Sequence, residues 1–118
     1  MTLFRSWLLA FVLTCALELP VVLLAMRGRE PQPKRVLGVA LVGQLLTHPL
    51  VWFAFPALPL LGQEERFWLS ELFAWLAEAA LYAGLLAGVS PWRGLGVSGV
   101  ANAISLAAGL ALAGVLGL

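Results

Sequence analysis

The sequence predicts an all-α membrane protein with four transmembrane helices in a compact bundle, and three observations lead to that prediction. Hydrophobic residues make up 62% of the 118 residues, and charged residues make up only 11%. A soluble domain carries about 25% charged residues. The mean hydropathy is +0.98. The apolar residues also fall into four long segments that are separated by short polar connections.

Each of the four segments is long enough to cross a bilayer, which takes about 20 apolar residues. We predict spans over residues 3–26, 36–61, 67–89 and 95–118. The first segment could also be a cleaved signal peptide. Glu18 interrupts its apolar run, however, and no clear small-x-small cleavage site follows. The short connections leave no room for an extramembrane part, so we predict one transmembrane domain over residues 1–118.

The distribution of basic residues predicts the orientation, because cytoplasmic loops carry an excess of lysine and arginine. Five basic residues lie in the first and third connections: Arg27, Arg29, Lys34, Arg35 and Arg93. Two others, Arg5 and Arg66, would lie on the opposite side of the membrane. We therefore expect the first side to be cytoplasmic and both termini to lie outside, in a bacterial inner membrane.

Composition also excludes several classes of function. A net charge of +1 offers no basic surface for nucleic acid, so we expect the lipid bilayer as the main partner. The single cysteine, Cys15, excludes an internal disulfide and a CxxC redox motif. The sequence has no aspartate, which excludes a Ser-His-Asp triad. No motif points to a cofactor, and we predict none.

Polar residues recur at helical spacing in every predicted span, so each span has a polar face. At about 1.5 Å per residue from the cytoplasmic end, these residues fall into two adjacent layers. The deeper layer is nearest the midplane. The first layer contains Glu18, Gln44, Tyr82 and Asn102. The second, deeper layer contains His48, Glu78 and Ser105.

Ionisable groups inside a membrane are costly and usually functional, so these layers are the candidate site. We interpret Glu18 and Glu78 as carboxyl groups that bind and release a proton, and His48 as a relay that pairs with Glu78. The polar lining would then come from Gln44, Tyr82, Ser98, Asn102 and Ser105. Two alternatives stay open. The polar groups could simply bond helices together, or His48 and the two carboxylates could hold a metal ion.

Proline and glycine positions add two further expectations. Pro20 and Pro49 lie near Glu18 and His48, and broken helices beside ionisable groups often mark transport sites. Three glycines, Gly84, Gly88 and Gly109, are predicted to let helices approach closely. That approach would occur either inside the bundle or between two copies of the chain.

Four short strings together resemble a group of small four-span bacterial membrane proteins. They are the Glu-x-Pro of 18–20, QLLTHPLVWF at 44–53, ELFAWLAEAALY at 71–82 and SGVANAISLAAG at 98–109. The resemblance covers most of the chain. It implies the four-span layout and no activity.

These observations favour a small membrane protein that moves protons, a small cation or a small solute through a cluster of Glu, His and Asn. A bundle of four helices leaves little room for a pathway, so we expect a homo-oligomer or a place in a larger complex. The first alternative is an accessory or scaffold subunit of a membrane complex. The second is an intramembrane enzyme that acts on a lipid-like substrate, which the lack of a nucleophile motif disfavours.

Overall fold

A computed structural model describes residues 2–28 and 32–116, and within those ranges the chain is helical with no β-strand. The four helices are α1 (Leu3–Ala25), α2 (Pro33–Pro49), α3 (Gln63–Leu85) and α4 (Pro91–Leu116). The second helix continues past Pro49 as a π-helical segment and a short 3₁₀ turn, over Leu50–Ala54 and Phe55–Ala57. Arg29 and the last two residues of the fourth predicted span lie outside the described residues.

Helices α2, α3 and α4 each begin about four residues before the predicted span. Pro33 and Pro91 open α2 and α4, where a fixed φ and a missing N–H suit the first helical position. Glu64 and Glu65 lie in the first turn of α3, where negative charge is favourable. The helices therefore start in the polar connections, whereas the prediction placed their starts at the first apolar residues.

The all-α and membrane-embedded predictions are confirmed. Three helical segments are long and apolar enough to cross a bilayer, namely Leu3–Ala25, Pro33–Ala57 and Pro91–Val115. At 23 residues, α3 is just as long as α1. It does not reach the same apolarity because charged residues lie along it. Three spans are thus clear from length and composition, and the fourth is not.

The helices form an up-and-down bundle in which each packs against its chain neighbours and α4 packs against α1. One end, here called the basic end, holds the connections after α1 and α3. There, Arg93 Nη2 donates a 2.8 Å hydrogen bond to the carbonyl of Ala25, the last residue of α1. Arg35 donates in the same way to the carbonyl of Leu85, the last residue of α3. Two arginines therefore satisfy helix C-termini that would otherwise lack partners.

The distribution of polar side chains is the reverse of that in a soluble protein. Large apolar side chains are exposed along every helix, such as Leu9, Leu46 and Leu72. Buried polar side chains come from all four helices: Glu18, Gln44, Thr47, Ser70, Glu78 and Ser98. An apolar exterior with a polar interior suits a lipid environment, in which interior polar groups bond to one another.

Apolar residues fill the bundle between its polar middle and the basic end. All four helices and the third connection contribute to this core, called here the basic-end core. Its members are Val22, Met26, Val36, Ala40, Tyr82, Leu86, Val89, Val97 and Ala101. No comparable core lies at the opposite end, here called the terminal end, among the described residues.

The three glycines predicted to form close helix contacts do not do so within this chain. Gly88 lies beyond the end of α3 with a φ of +78°, so it forms a turn and shares no helix face with Gly84. Gly84 and Gly109 are exposed, and a Cβ on either would meet nothing within 4 Å. The close contact instead occurs at Gly94, where a Cβ would lie 2.6 Å from the carbonyl oxygen of Ala79.

We expect Gly94→Ala to destabilise the protein by about 1–3 kcal/mol, because the new methyl group forces α4 away from the backbone of α3. Gly96→Ala on the same helix is the control, since a Cβ there meets nothing within 4 Å. The midpoint of thermal unfolding in detergent, followed by circular dichroism, measures both. Equal midpoints for the two variants would contradict this packing.

Candidate functional site

The centre of the bundle holds two carboxyl groups bridged by one amide. Gln44 Nε2, from α2, donates a 2.8 Å hydrogen bond to Glu18 Oε1 and another of 2.8 Å to Glu78 Oε1. An amide nitrogen carries two hydrogens, so each carboxyl receives one. The two carboxyl oxygens lie within about 5.6 Å of each other, because each is 2.8 Å from the same nitrogen. Glu18, Gln44 and Glu78 are each at most 2% exposed.

Helix α4 supplies a donor to the second oxygen of each carboxyl. Ser105 Oγ donates a 2.6 Å hydrogen bond to Glu18 Oε2. Asn102 Nδ2 makes a longer contact of 3.4 Å with Glu78 Oε2 and also bonds to the Ser98 carbonyl. The carboxyl pair, on α1 and α3, is thus held by donors from the other two helices, α2 and α4. We call Glu18, Gln44, Glu78, Asn102 and Ser105 the carboxyl cluster.

The local sequence explains why these five side chains meet. Glu18 and Glu78 each precede the end of their helix at the basic end by seven residues, and Gln44 and Asn102 each follow the start of theirs by eleven. At 1.5 Å per residue, these positions lie about 10–17 Å from the basic end. Four antiparallel helices therefore carry their polar groups to one level of the bundle.

A cavity of about 230 Å³ adjoins the carboxyl cluster on the side of the terminal end. All four helices line this inner cavity. Among its lining residues are all five members of the carboxyl cluster, together with Thr14, His48, Trp52, Phe67 and Glu71. Within the described part of the chain, no lysine or arginine lines it. The carboxyl pair is therefore reached from a space that holds three glutamates and one histidine.

A larger space of about 690 Å³, here called the vestibule, lies beyond the inner cavity toward the terminal end. The two spaces share lining residues: Val51, Trp52, Phe67 and Glu71. Arg66 and Gln63, from the start of α3, line only the vestibule. The vestibule and the inner cavity therefore adjoin at these four residues, on the terminal-end side of the carboxyl pair.

His48 lies in a different environment from the one predicted. Its Nε2 lies 3.3 Å from Thr14 Oγ1, and no hydrogen bond joins it to Glu78 among the described residues. Aromatic rings surround the imidazole, with the Phe11 ring centroid at 5.5 Å and that of Trp52 at 6.4 Å. The π-helical segment begins two residues after His48 and carries Trp52. Such segments often occur at functional sites.

Two other predicted lining residues are buried away from the inner cavity. Tyr82 is 0% exposed and belongs to the basic-end core, and its hydroxyl has no hydrogen-bond partner in the described part of the chain. Ser98 donates to the Trp75 carbonyl at 2.8 Å and so bonds α4 to α3. Helical spacing correctly predicted that both residues face the bundle interior. The inner cavity, however, does not extend as far toward the basic end as Tyr82 and Ser98.

Glu71 is the residue whose position the sequence predicts least well. Its place near the end of a predicted span suggests a solvated group, whereas it is half-buried and lines both the vestibule and the inner cavity. Glu71 lies seven residues before Glu78, which places both on one face of α3. This spacing predicts that Glu71, like Glu78, faces the bundle interior. The metal alternative gains no support, because no three His, Cys, Asp or Glu residues in 2–28 and 32–116 are grouped to hold an ion.

We expect Gln44→Met to lower the free energy of unfolding by about 1–3 kcal/mol, because two buried carboxyls lose their shared donor. The loss should be smaller in a Glu18→Gln/Glu78→Gln background, where carboxamides replace the carboxyls. Gln32→Met, at the exposed start of α2, is the matched control. Unfolding in detergent measures all four variants, and an equal loss in both backgrounds would show that the amide does not bridge the pair.

Comparison with known proteins assigns the chain to no family. No protein-family model, curated protein or solved structure matches it. The resemblance to small four-span bacterial membrane proteins therefore stays a prediction from the sequence. Any function has to be inferred from the carboxyl cluster and the spaces beside it.

Proposed function

We propose that the protein moves protons across the membrane, coupled to a small cation or small solute, by exchange at Glu18 and Glu78. The single observation that carries this proposal is the amide of Gln44, which holds the two carboxyls within about 5.6 Å of each other. The remaining members of the carboxyl cluster keep both groups in one geometry. The cluster would bind one positive charge and release it.

The charge balance of the cluster supports this role. Two ionised carboxylates side by side in an apolar bundle repel each other, and each also loses its hydration. Gln44, Asn102 and Ser105 contribute hydrogen bonds but no positive charge. A proton or cation that binds to the pair removes part of this cost. The pair is therefore suited to hold one charge and to exchange it for another.

The inner cavity provides access for that exchange. It adjoins the vestibule, and His48 lines it together with both carboxyls. A neutral imidazole has one donor and one acceptor nitrogen, so it can take up a proton at one nitrogen and release a proton from the other. We propose that His48 passes protons between the vestibule and the pair through the space they share. This role replaces the direct pairing with Glu78 that the sequence suggested.

The closed basic end favours a transporter over an open channel. The basic-end core lies between the carboxyl cluster and that end, and it consists of apolar side chains except for the hydroxyl of Tyr82. The buried hydroxyl of Ser98 lies next to this layer, but the layer itself offers a proton or ion few polar groups among the described residues. Passage would require α-helices to move apart there and to break the arginine contacts with Ala25 and Leu85.

We also propose that α3 crosses the membrane as a fourth span. Glu64, Glu65 and Arg66 lie in its first turn at the terminal end, and Glu78 is paired inside the bundle. Of the charged residues of α3, only Glu71 then lies at intermediate depth, where it lines the two adjoining spaces. The basic end would be cytoplasmic, with both termini outside, as the basic residues predict for a bacterial inner membrane.

A homo-oligomer or a membrane-complex partner belongs to the same proposal. Gly84 is exposed on the surface of α3, where a Cβ would meet nothing within 4 Å. Gly109 lines the inner cavity and does not belong to this surface. Small residues on a lipid-facing surface allow a second helix to approach closely. The accessory-subunit alternative would use this same surface, and it differs from our proposal in needing no exchange at the carboxyl pair.

Proton flux into liposomes tests the proposal. Purified protein is reconstituted, a pH gradient is imposed with a panel of small cations and small solutes supplied in turn, and the membrane potential is clamped with potassium and an ionophore. We expect flux from the wild type, and Glu18→Gln or Glu78→Gln should lower it by about tenfold or more, since a carboxamide neither takes up nor releases a proton. Glu64→Gln is the control, because Glu64 is exposed and lines neither space.

Two outcomes would contradict the proposal. The first is a wild-type flux equal to that of empty liposomes with every cation and solute supplied, and the second is wild-type flux through both carboxyl variants. Either result would favour the accessory-subunit alternative. Purification from native membranes would then be expected to bring a second protein along in a fixed ratio.

A further inference from the structure

Glu71 lines the inner cavity but has no role in the proposed proton exchange. This residue lines three spaces: the vestibule, the inner cavity, and a groove of about 380 Å³ between α3 and α4. The groove is walled by Trp68, Leu72, Trp75 and Leu106, which makes it apolar. No hydrogen bond to the Glu71 carboxyl is formed by residues 2–28 or 32–116. Its acceptor oxygens are thus free where three spaces meet.

We propose that Glu71 binds a protonated amine with an aromatic or similarly apolar body, and that this amine is the solute moved by the protein. The inference rests on the proposed function, because it names the class of solute that proton exchange would drive. It assigns Glu71 the role of the first charged contact, outside the carboxyl cluster.

The charges of the surrounding spaces favour a cationic ligand. Glu18, Glu71 and Glu78 all line the inner cavity, where His48 is the only other titratable group that faces it from the described residues. Among the described residues, Arg66 is the one cation that lines the vestibule, and it does not line the inner cavity. A ligand that passes from the vestibule inward therefore moves from a position beside a cation into a space with several carboxyls.

The walls of these spaces favour an apolar body attached to the cation. Trp52 and Phe67 line both the vestibule and the inner cavity. Aromatic faces attract cations and also pack against apolar groups. At about 690 Å³, the vestibule lies within the range of small-molecule sites, about 300–1,000 Å³. A hydrated inorganic ion would gain nothing from these walls.

The free oxygens of Glu71 favour an amine that carries N–H groups. A carboxylate can accept up to about four hydrogen bonds, and an ammonium group donates three. Charge-assisted bonds of this kind are about twice as strong as those between neutral groups. A quaternary ammonium ion has the charge but no hydrogen to donate, so it should bind more weakly.

Equilibrium dialysis of radiolabelled phenethylamine against the full chain in detergent tests the inference without any gradient. We expect saturable binding that unlabelled phenethylamine displaces. Phenethyl alcohol, which has the same body without the charge, should displace it at least about tenfold less well. Methylammonium, which has the charge without the body, and the trimethylated analogue should both be weaker than phenethylamine.

Variants locate the site. Glu71→Gln should weaken binding by about tenfold or more, whereas Glu71→Asp should retain part of it and Glu64→Gln should leave it unchanged. Unchanged unfolding midpoints show that the Glu71 variants are folded. Equal binding of the alcohol and the amine, wild-type affinity in Glu71→Gln, or no saturable binding would each overturn the inference. Equal binding of the trimethylated analogue would overturn the part assigned to the N–H groups.

The two proposals fail separately. Amine binding that depends on Glu71 in a protein with no proton flux would overturn proton exchange while leaving the ligand site in place. Proton flux that depends on Glu18 and Glu78, without amine binding, would overturn the ligand assignment alone.

Discussion

A carboxyl group buried among apolar helices has to be hydrogen-bonded and paired, or its burial destabilises the fold. Here two such groups, Glu18 and Glu78, depend on the same amide of Gln44. This requirement fixes α1, α2 and α3 at one level of the bundle. Ser105 and Asn102 add α4 to the same level. The position of that level divides the bundle into a half with cavities and a half with an apolar core.

The carboxyl cluster divides the bundle into two unlike halves. Toward the terminal end, the helices separate around the inner cavity and the vestibule. Toward the basic end, an apolar core and two arginine contacts with helix C-termini hold them together. The bundle therefore has cavities on one side of its carboxyl cluster and an apolar core on the other. Under the proposed function, this is one of two states, and the opposite state would require the arginine contacts to break.

Much of this arrangement could be predicted from the sequence. The membrane setting and the helical class follow from composition, because few folds tolerate so much apolar surface. The meeting of Glu18, Gln44 and Asn102 at one level follows from helical period and a common reference end. The sequence predicts Glu78 one layer deeper, and Glu78 joins this level because α3 ends at Leu85, four residues before the predicted end of its span. Spacing along a helix thus gives the face of all four residues, but the depth of Glu78 also depends on where its helix ends.

The sequence does not predict the features that depend on how far the helices lie apart and where they end. His48 shares its face with Gln44, yet it lies among the aromatic rings of Trp7, Phe11 and Trp52 and contacts Thr14. Tyr82 has the right face and depth, but the apolar core surrounds it. Gly88 appeared to belong to a helix that ends at Leu85. The shape of a cavity and the end of a helix depend on packing between helices, so the sequence of one segment does not determine them.

The central claim is that Glu18 and Glu78 exchange protons as one unit inside the bundle. Infrared difference spectroscopy of the reconstituted protein tests it directly, because the carbonyl stretch of a protonated carboxyl is separate from that of a carboxylate. The account predicts a carboxyl band that appears and disappears as pH is varied, that changes in either Glu18→Gln or Glu78→Gln, and that is lost in the double variant. A pH-induced band that persists unchanged in the double variant would contradict it.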